Sequence, residues 1–172
     1  METRVSRTLV AVAIALGLAT PLLHAKKVEF PADDPAFTFT MPDDWTTETG
    51  KDGRVYCTAP AGFKIGIIAS PGVSDADDAR KLLTTVLKGM ADAMKCENYK
   101  SEEAKTNELG KLSLVSRHGQ CKSEGIEMAL NAAVFALEPG KYFTIVGAAP
   151  EKVDKAHRKE MSELIRSIAA VE

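Results

Sequence analysis

Residues 126–137 read IEMALNAAVFAL, and no other segment constrains the fold as strongly. In an extended chain Met128, Leu130, Ala132 and Val134 fall on one face. Ala129, Ala133, Phe135 and Leu137 fall on the other. A strand that is apolar on both faces sits at the centre of a sheet with a layer over each side. Ser123-Glu124-Gly125 and Glu138-Pro139-Gly140 bound the segment. Turns this short send the chain straight back, so both neighbours run antiparallel to it.

The neighbours are Lys111–Cys121 and Tyr142–Ala148, which read as strands. Upstream, Phe37, Phe39 and Met41 alternate with threonines until Pro42 ends the run. Arg54–Ala59 alternates again, with Val55 and Cys57 on one side and Tyr56 and Thr58 on the other. Phe63, Ile65 and Ile67 share a face in 63–70, which Pro71-Gly72 stops. Residues 98–107 are polar and weakly extended, and Asn107–Gly110 reads as a turn.

Two helices cover this sheet. The first spans 74–96, with Ser74 and Asp77 as a capping-box-like start. Its stripe is Leu82, Leu83, Val86, Leu87, Met90 and Met94. The second runs over 150–170 from Pro150, with Val153, His157, Met161, Leu164, Ile165 and Ile168 in line. The expectation is an α+β fold: a mostly antiparallel sheet of about seven strands flanked by two long helices.

The start of the chain is of a different kind. Arg4 and Arg7 precede the apolar run Leu9–Ala19, Pro21 breaks it, and Ala25 ends it with a small residue. That is the layout of a secretory signal peptide over residues 1–25. Residues 26–35, with Pro31 and Pro35, read as a lead-in arm, and 36–172 as one domain. A leader bearing Arg4, Arg7 and Glu2 leaves 20 basic and 23 acidic residues, a net of −3. Such a chain has no basic excess to draw nucleic acid or an anionic membrane. After the leader no apolar run approaches the ~20 residues that cross a bilayer. The reading is a periplasmic or secreted protein with no transmembrane span after cleavage.

The late hairpin Tyr142-Phe143-Thr144-Ile145-Val146-Gly147 feeds a helix carrying Leu164-Ile165-x-x-Ile168. With Phe37-x-Phe39-x-Met41-Pro42-x-x-Trp45 and the long first helix, this order of elements resembles the PsbP-like superfamily over about residues 36–170. The resemblance implies an α/β/α sandwich. It also implies a binding or assembly factor, with no catalytic motif to lay on this sequence.

Three cysteines in an exported protein make a disulfide plausible. A hairpin turning at Asn107–Gly110 sets Cys96 opposite Cys121, which predicts that pair and leaves Cys57 a buried free thiol. His118 and Cys121 are three apart on a strand and face opposite ways, so they do not share a metal. His157 reads as a structural side chain at a helix edge. Asp33, Asp34, Asp43, Asp44 and Asp75-x-Asp77-Asp78 invite a calcium reading, but Arg80 stands where an EF-hand loop needs glycine. They read as solvated and capping carboxylates. Trp45 reads as a core plug before a ligand-facing aromatic. No G-x-S-x-G, Walker A, G-x-G-x-x-G or H-E-x-x-H sequence is present.

The sequence therefore assigns no catalytic, cofactor or metal residues. It points to a non-catalytic binding, assembly or inhibitor-type module whose partner is another envelope protein. The alternative is a small secreted hydrolase or thiol enzyme using His118 or Cys57. An enzyme calls for a concave pocket holding His118, His157 or Cys57 with a second polar group in reach. A binding module would show an exposed apolar patch.

Overall fold

The computed structural model of the protein describes residues 25–171, so the expected signal peptide, apart from Ala25, lies outside the described residues. The strands are β1 (Ala25–Phe30), β2 (Phe37–Pro42), β3 (Thr46–Thr49), β4 (Val55–Thr58) and β5 (Lys64–Ala69). Helix α1 (Ala76–Ala93) follows, then β6 (Glu97–Ser101), β7 (Lys105–Leu109), β8 (Leu112–Ser123), β9 (Ile126–Glu138) and β10 (Lys141–Pro150). Helix α2 (Glu151–Arg166) and the short β11 (Ala169–Ala170) close the chain.

The main sheet has the order β3-β4-β5-β10-β9-β8-β6, with β7 also paired to β8. Every pairing in it is antiparallel. That makes eight strands in this sheet, not seven. The difference arises at the edges. Thr46–Thr49 has no apolar residue to mark an alternation and is held by backbone pairing to β4. The polar stretch 98–107 is split into β6 and β7 by Glu102-Glu103-Ala104. β2 belongs to a second, three-stranded sheet, β1-β2-β11.

The lead-in arm is corrected as well. Its first residues form β1, antiparallel to β2, because Val28 and Phe30 alternate with Lys27 and Glu29. Phe30 is buried, with its ring 5.3 Å from Phe37 and 6.1 Å from Phe143.

β9 lies between β8 and β10, as its two apolar faces require. On one face Leu130, Ala132 and Val134 pack against Leu83, Leu87 and Ala91 of α1. On the other, Phe135 joins Phe143, Phe37, Phe39 and Leu164 beneath α2 and the small sheet. Trp45 is buried in that second core with Phe63, ring centroids 5.8 Å apart, so it plugs the corner.

Helix α1 starts one residue later than the capping-box reading. Asp75 is the N-cap, and its Oδ1 accepts from the Asp77 and Asp78 N–H groups at 2.9 Å each. Ser74 Oγ instead donates to Asp78 Oδ2 at 2.6 Å. Aspartate serves this position because an ionised acceptor suits the positive helix end. Helix α2 ends at Arg166, short of 170, because Ala169 and Ala170 pair with β2.

The turn before β8 also shifts. It closes at Gly110-Lys111, with Leu109 opposite Leu112 and Gly110 at φ 69°, a conformation glycine adopts without strain. The register then slips between β7 and β6, and again between Glu97 and Lys100. Those slips bring Cys96 beside Cys121, Cα atoms 5.6 Å apart, in a disulfide.

Candidate functional site

On the α2 side of the sheet an open groove of about 790 Å³ runs between the helix and the β7–β8 part of the sheet. Its floor is polar. His118 of β8 and Asn131 of β9 are direct cross-strand neighbours, and they meet at 2.7 Å through His118 Nδ1 and Asn131 Oδ1. Asn131 Nδ2 donates to Asp154 Oδ1 of α2 at 2.7 Å. Arg158, one turn along α2, donates to Asp154 Oδ2 from both Nε and Nη2 at 3.1 Å.

The polarity of this chain is fixed from its far end. Asp154 is only 5% exposed and is held by a guanidinium, so it accepts. Asn131 therefore turns its amide nitrogen to Asp154 and its oxygen to His118. Nδ1 must then carry the histidine proton, which leaves a lone pair on Nε2 of the neutral ring. No hydrogen bond reaches Nε2 among the described residues.

Two carboxylates flank His118. The Glu102 N–H donates to the His118 carbonyl at 2.9 Å, and Glu151 opens α2. Each is paired outward, Glu102 with Lys105 Nζ at 2.8 Å and Glu151 with Lys155 Nζ at 2.6 Å. These hydrogen bonds, then the lysine charges, hold both carboxyls below the usual glutamate range, with a smaller pull from His118 when its ring is charged.

The other candidates fall elsewhere. Cys57 is fully buried on the second core, and burial pushes its thiol up to about 12 although Lys26 draws it back. A thiol held neutral there is not a nucleophile at physiological pH. His157 is stacked on Phe63 at 5.1 Å, faces Trp45 edge-on at 6.0 Å, and bonds Glu160 Oε2 through Nδ1 at 2.5 Å. It is a half-buried packing residue. His118 lies on the α2 face of β8 and Cys121 on the α1 face, as their spacing requires. Asp33, Asp34, Asp43 and Asp44 are exposed. No group of three or more His, Cys, Asp or Glu side chains is placed to hold a metal ion among the described residues.

Among the described residues the expected exposed apolar patch is not found. Ile126 and Val171 are the exposed large hydrophobic residues among those described. A second cleft, of about 710 Å³, lies on the opposite face between α1 and β5–β10, with Ser70 and Thr144 hydroxyls paired at 2.6 Å in its floor.

Of the three candidates His118, His157 and Cys57, only His118 lines the groove. Asn131, Asp154 and Arg158 are missed, and each had a signal. Asn131 is the one polar side chain at the centre of an otherwise apolar strand. Asp154 and Arg158 are spaced i,i+4 beside the stripe of α2, where side chains meet.

No protein-family model matches the chain, and no curated protein matches it. Solved structures do. The solution structure of cyanobacterial PsbP (CyanoP) from Synechocystis sp. PCC 6803 superposes with a TM-score of 0.63 at 14% identity. The match covers 89% of this chain and 96% of that one. The chain shares the PsbP-like fold. Mog1p, a Ran-binding protein of Saccharomyces cerevisiae, superposes at 0.60 with 11% identity, over 87% of this chain and 97% of its own. LpqN, involved in cell envelope biogenesis of Mycobacterium tuberculosis, superposes at 0.58 with 14% identity, over 87% and 92%. At these identities the PsbP-like likeness is one of fold.

Proposed function

We propose that the protein is an exported, non-catalytic module that holds a segment of another envelope protein in the groove between α2 and β8. One observation carries this reading: His118, Asn131, Asp154 and Arg158 form a single hydrogen-bonded chain along the floor, and among the described residues no Ser, Thr or Cys side chain is bonded to His118. Such a floor is rigid and pre-ordered, which lowers the entropy cost of recognition. Supporting it, Mog1p binds Ran and LpqN acts in envelope biogenesis. The leader-like residues 1–25 and the Cys96–Cys121 bridge fit an oxidising compartment outside the cytoplasm.

The hydrolase reading keeps one favourable observation, since a His held by Asn and Asp with a free Nε2 is how a general base is oriented. The hydroxyl on the same face of β8 is Ser116, whose Oγ accepts from Asn107 Nδ2 at 2.6 Å and makes no hydrogen bond to His118 among the described residues. The alternative in which Cys57 is the nucleophile has no exposed thiol to work with.

Photo-crosslinking in the native host tests the proposal. A crosslinker at Gln120 or Glu108, in the groove, is expected to give one adduct of defined mass containing a second protein. The same group at Thr85, in the opposite cleft, is expected to give none. Adducts from Thr85 alone, or none from either groove position, would overturn it.

A further inference from the structure

We infer that the groove takes a basic segment of its partner, with a lysine or arginine side chain donating to His118 Nε2 between Glu102 and Glu151. This rests on the groove being a protein-binding site. The argument begins with the lone pair. Because Asn131 Oδ1 can only accept, the neutral imidazole offers the groove an acceptor and never a donor at Nε2. A partner group that completes this site must therefore donate.

The surrounding charge selects which donor. On this face the cations are already spent: Lys105 on Glu102, Lys155 on Glu151 and Arg158 on Asp154. Arg117 also lines the groove, but its guanidinium is turned to Thr84 of α1 and to Ser101, to both of which it donates. Glu103 and Glu108 line the groove, are exposed, and form no ion pair among the described residues. The groove thus presents two uncommitted carboxylates and one unused acceptor, and no uncommitted cation. A donor carrying positive charge is favoured at all three points, and an acidic segment is repelled at two of them. Arginine and lysine are the side chains with donors and no acceptor.

The test uses the full mature chain and three probes: an acetylated, amidated hexapeptide alternating lysine and alanine, its glutamate counterpart, and free lysine. Binding is followed by NMR at low ionic strength. The lysine peptide is expected to bind saturably, with its largest shifts at His118, Asn131, Glu102 and Glu151. The glutamate peptide is expected to show no saturable binding, and free lysine to bind at least tenfold more weakly than the lysine peptide. His118→Phe should weaken the lysine peptide about tenfold. The Glu103→Gln/Glu108→Gln variant, altered only at exposed positions, should weaken it severalfold even if the histidine variant does not fold. Equal binding of the glutamate peptide, or shifts spread evenly over the surface and unchanged in both variants, would overturn the inference. A crosslinked partner whose contact segment carries no lysine or arginine would also overturn it, while leaving the groove itself a protein-binding site.

Discussion

Asp154 shows what the groove costs at the residue scale. A carboxylate buried under a helix is tolerated because Asn131 and Arg158 both donate to it. Asp154→Ala removes the acceptor of the half-buried Asn131 amide, and losing a hydrogen bond of this kind costs about 0.5–1.5 kcal/mol. Urea unfolding of the variant should show that loss, with the slope unchanged. Glu102 and Glu151 give a second check. Their folded-state pKa values lie below the ordinary value of 4.5. The stability they add is therefore present at neutral pH and lost as pH falls through those depressed values. Carboxyl NMR titration should place both midpoints below 4.5, and Lys105→Ala should return Glu102 towards it. Cys57 behaves in the opposite sense. Its raised pKa keeps the neutral thiol, so its contribution is full below the unfolded value near 9 and fades as pH climbs towards about 12. An aromatic disulfide reagent at pH 8 should leave the folded protein unlabelled and modify Cys57 only after denaturation.

The elements were legible in the sequence wherever burial imposed a period. β9 could be read because both of its faces are covered, and the outer residues of β4 and β5 because one face is. Thr46–Thr49 and 98–107 could not, since edge strands that only pair through backbone leave no pattern of side chains. The disulfide partners came out of a turn placed too early, and the structure reaches the same pair by slipping register between β7 and Glu97. Non-reducing peptide mapping should recover one linked peptide containing Cys96 and Cys121, with Cys57 unlinked. The bridge closes a separation of 25 residues, and replacing both cysteines by alanine should cost about 3 kcal/mol.

For the whole molecule, one sheet separates two different surfaces. The α1 face carries the disulfide and a mostly apolar cleft; the α2 face carries the polar groove. The fold could be anticipated because packing follows hydrophobic period. The groove could not, because it needs Asn131, Asp154 and Arg158 brought together from separate elements, and no local spacing announces a contact between residues 131 and 154. The account stands on the direction of the hydrogen bonds that meet there. Long-range ¹⁵N–¹H NMR on the imidazole of His118, in the neutral ring, reads that direction at once. The account predicts the Nδ1–H tautomer, with Nε2 showing the shift of an unprotonated nitrogen, and loss of that preference in Asn131→Leu. An Nε2–H tautomer in the folded protein would contradict it.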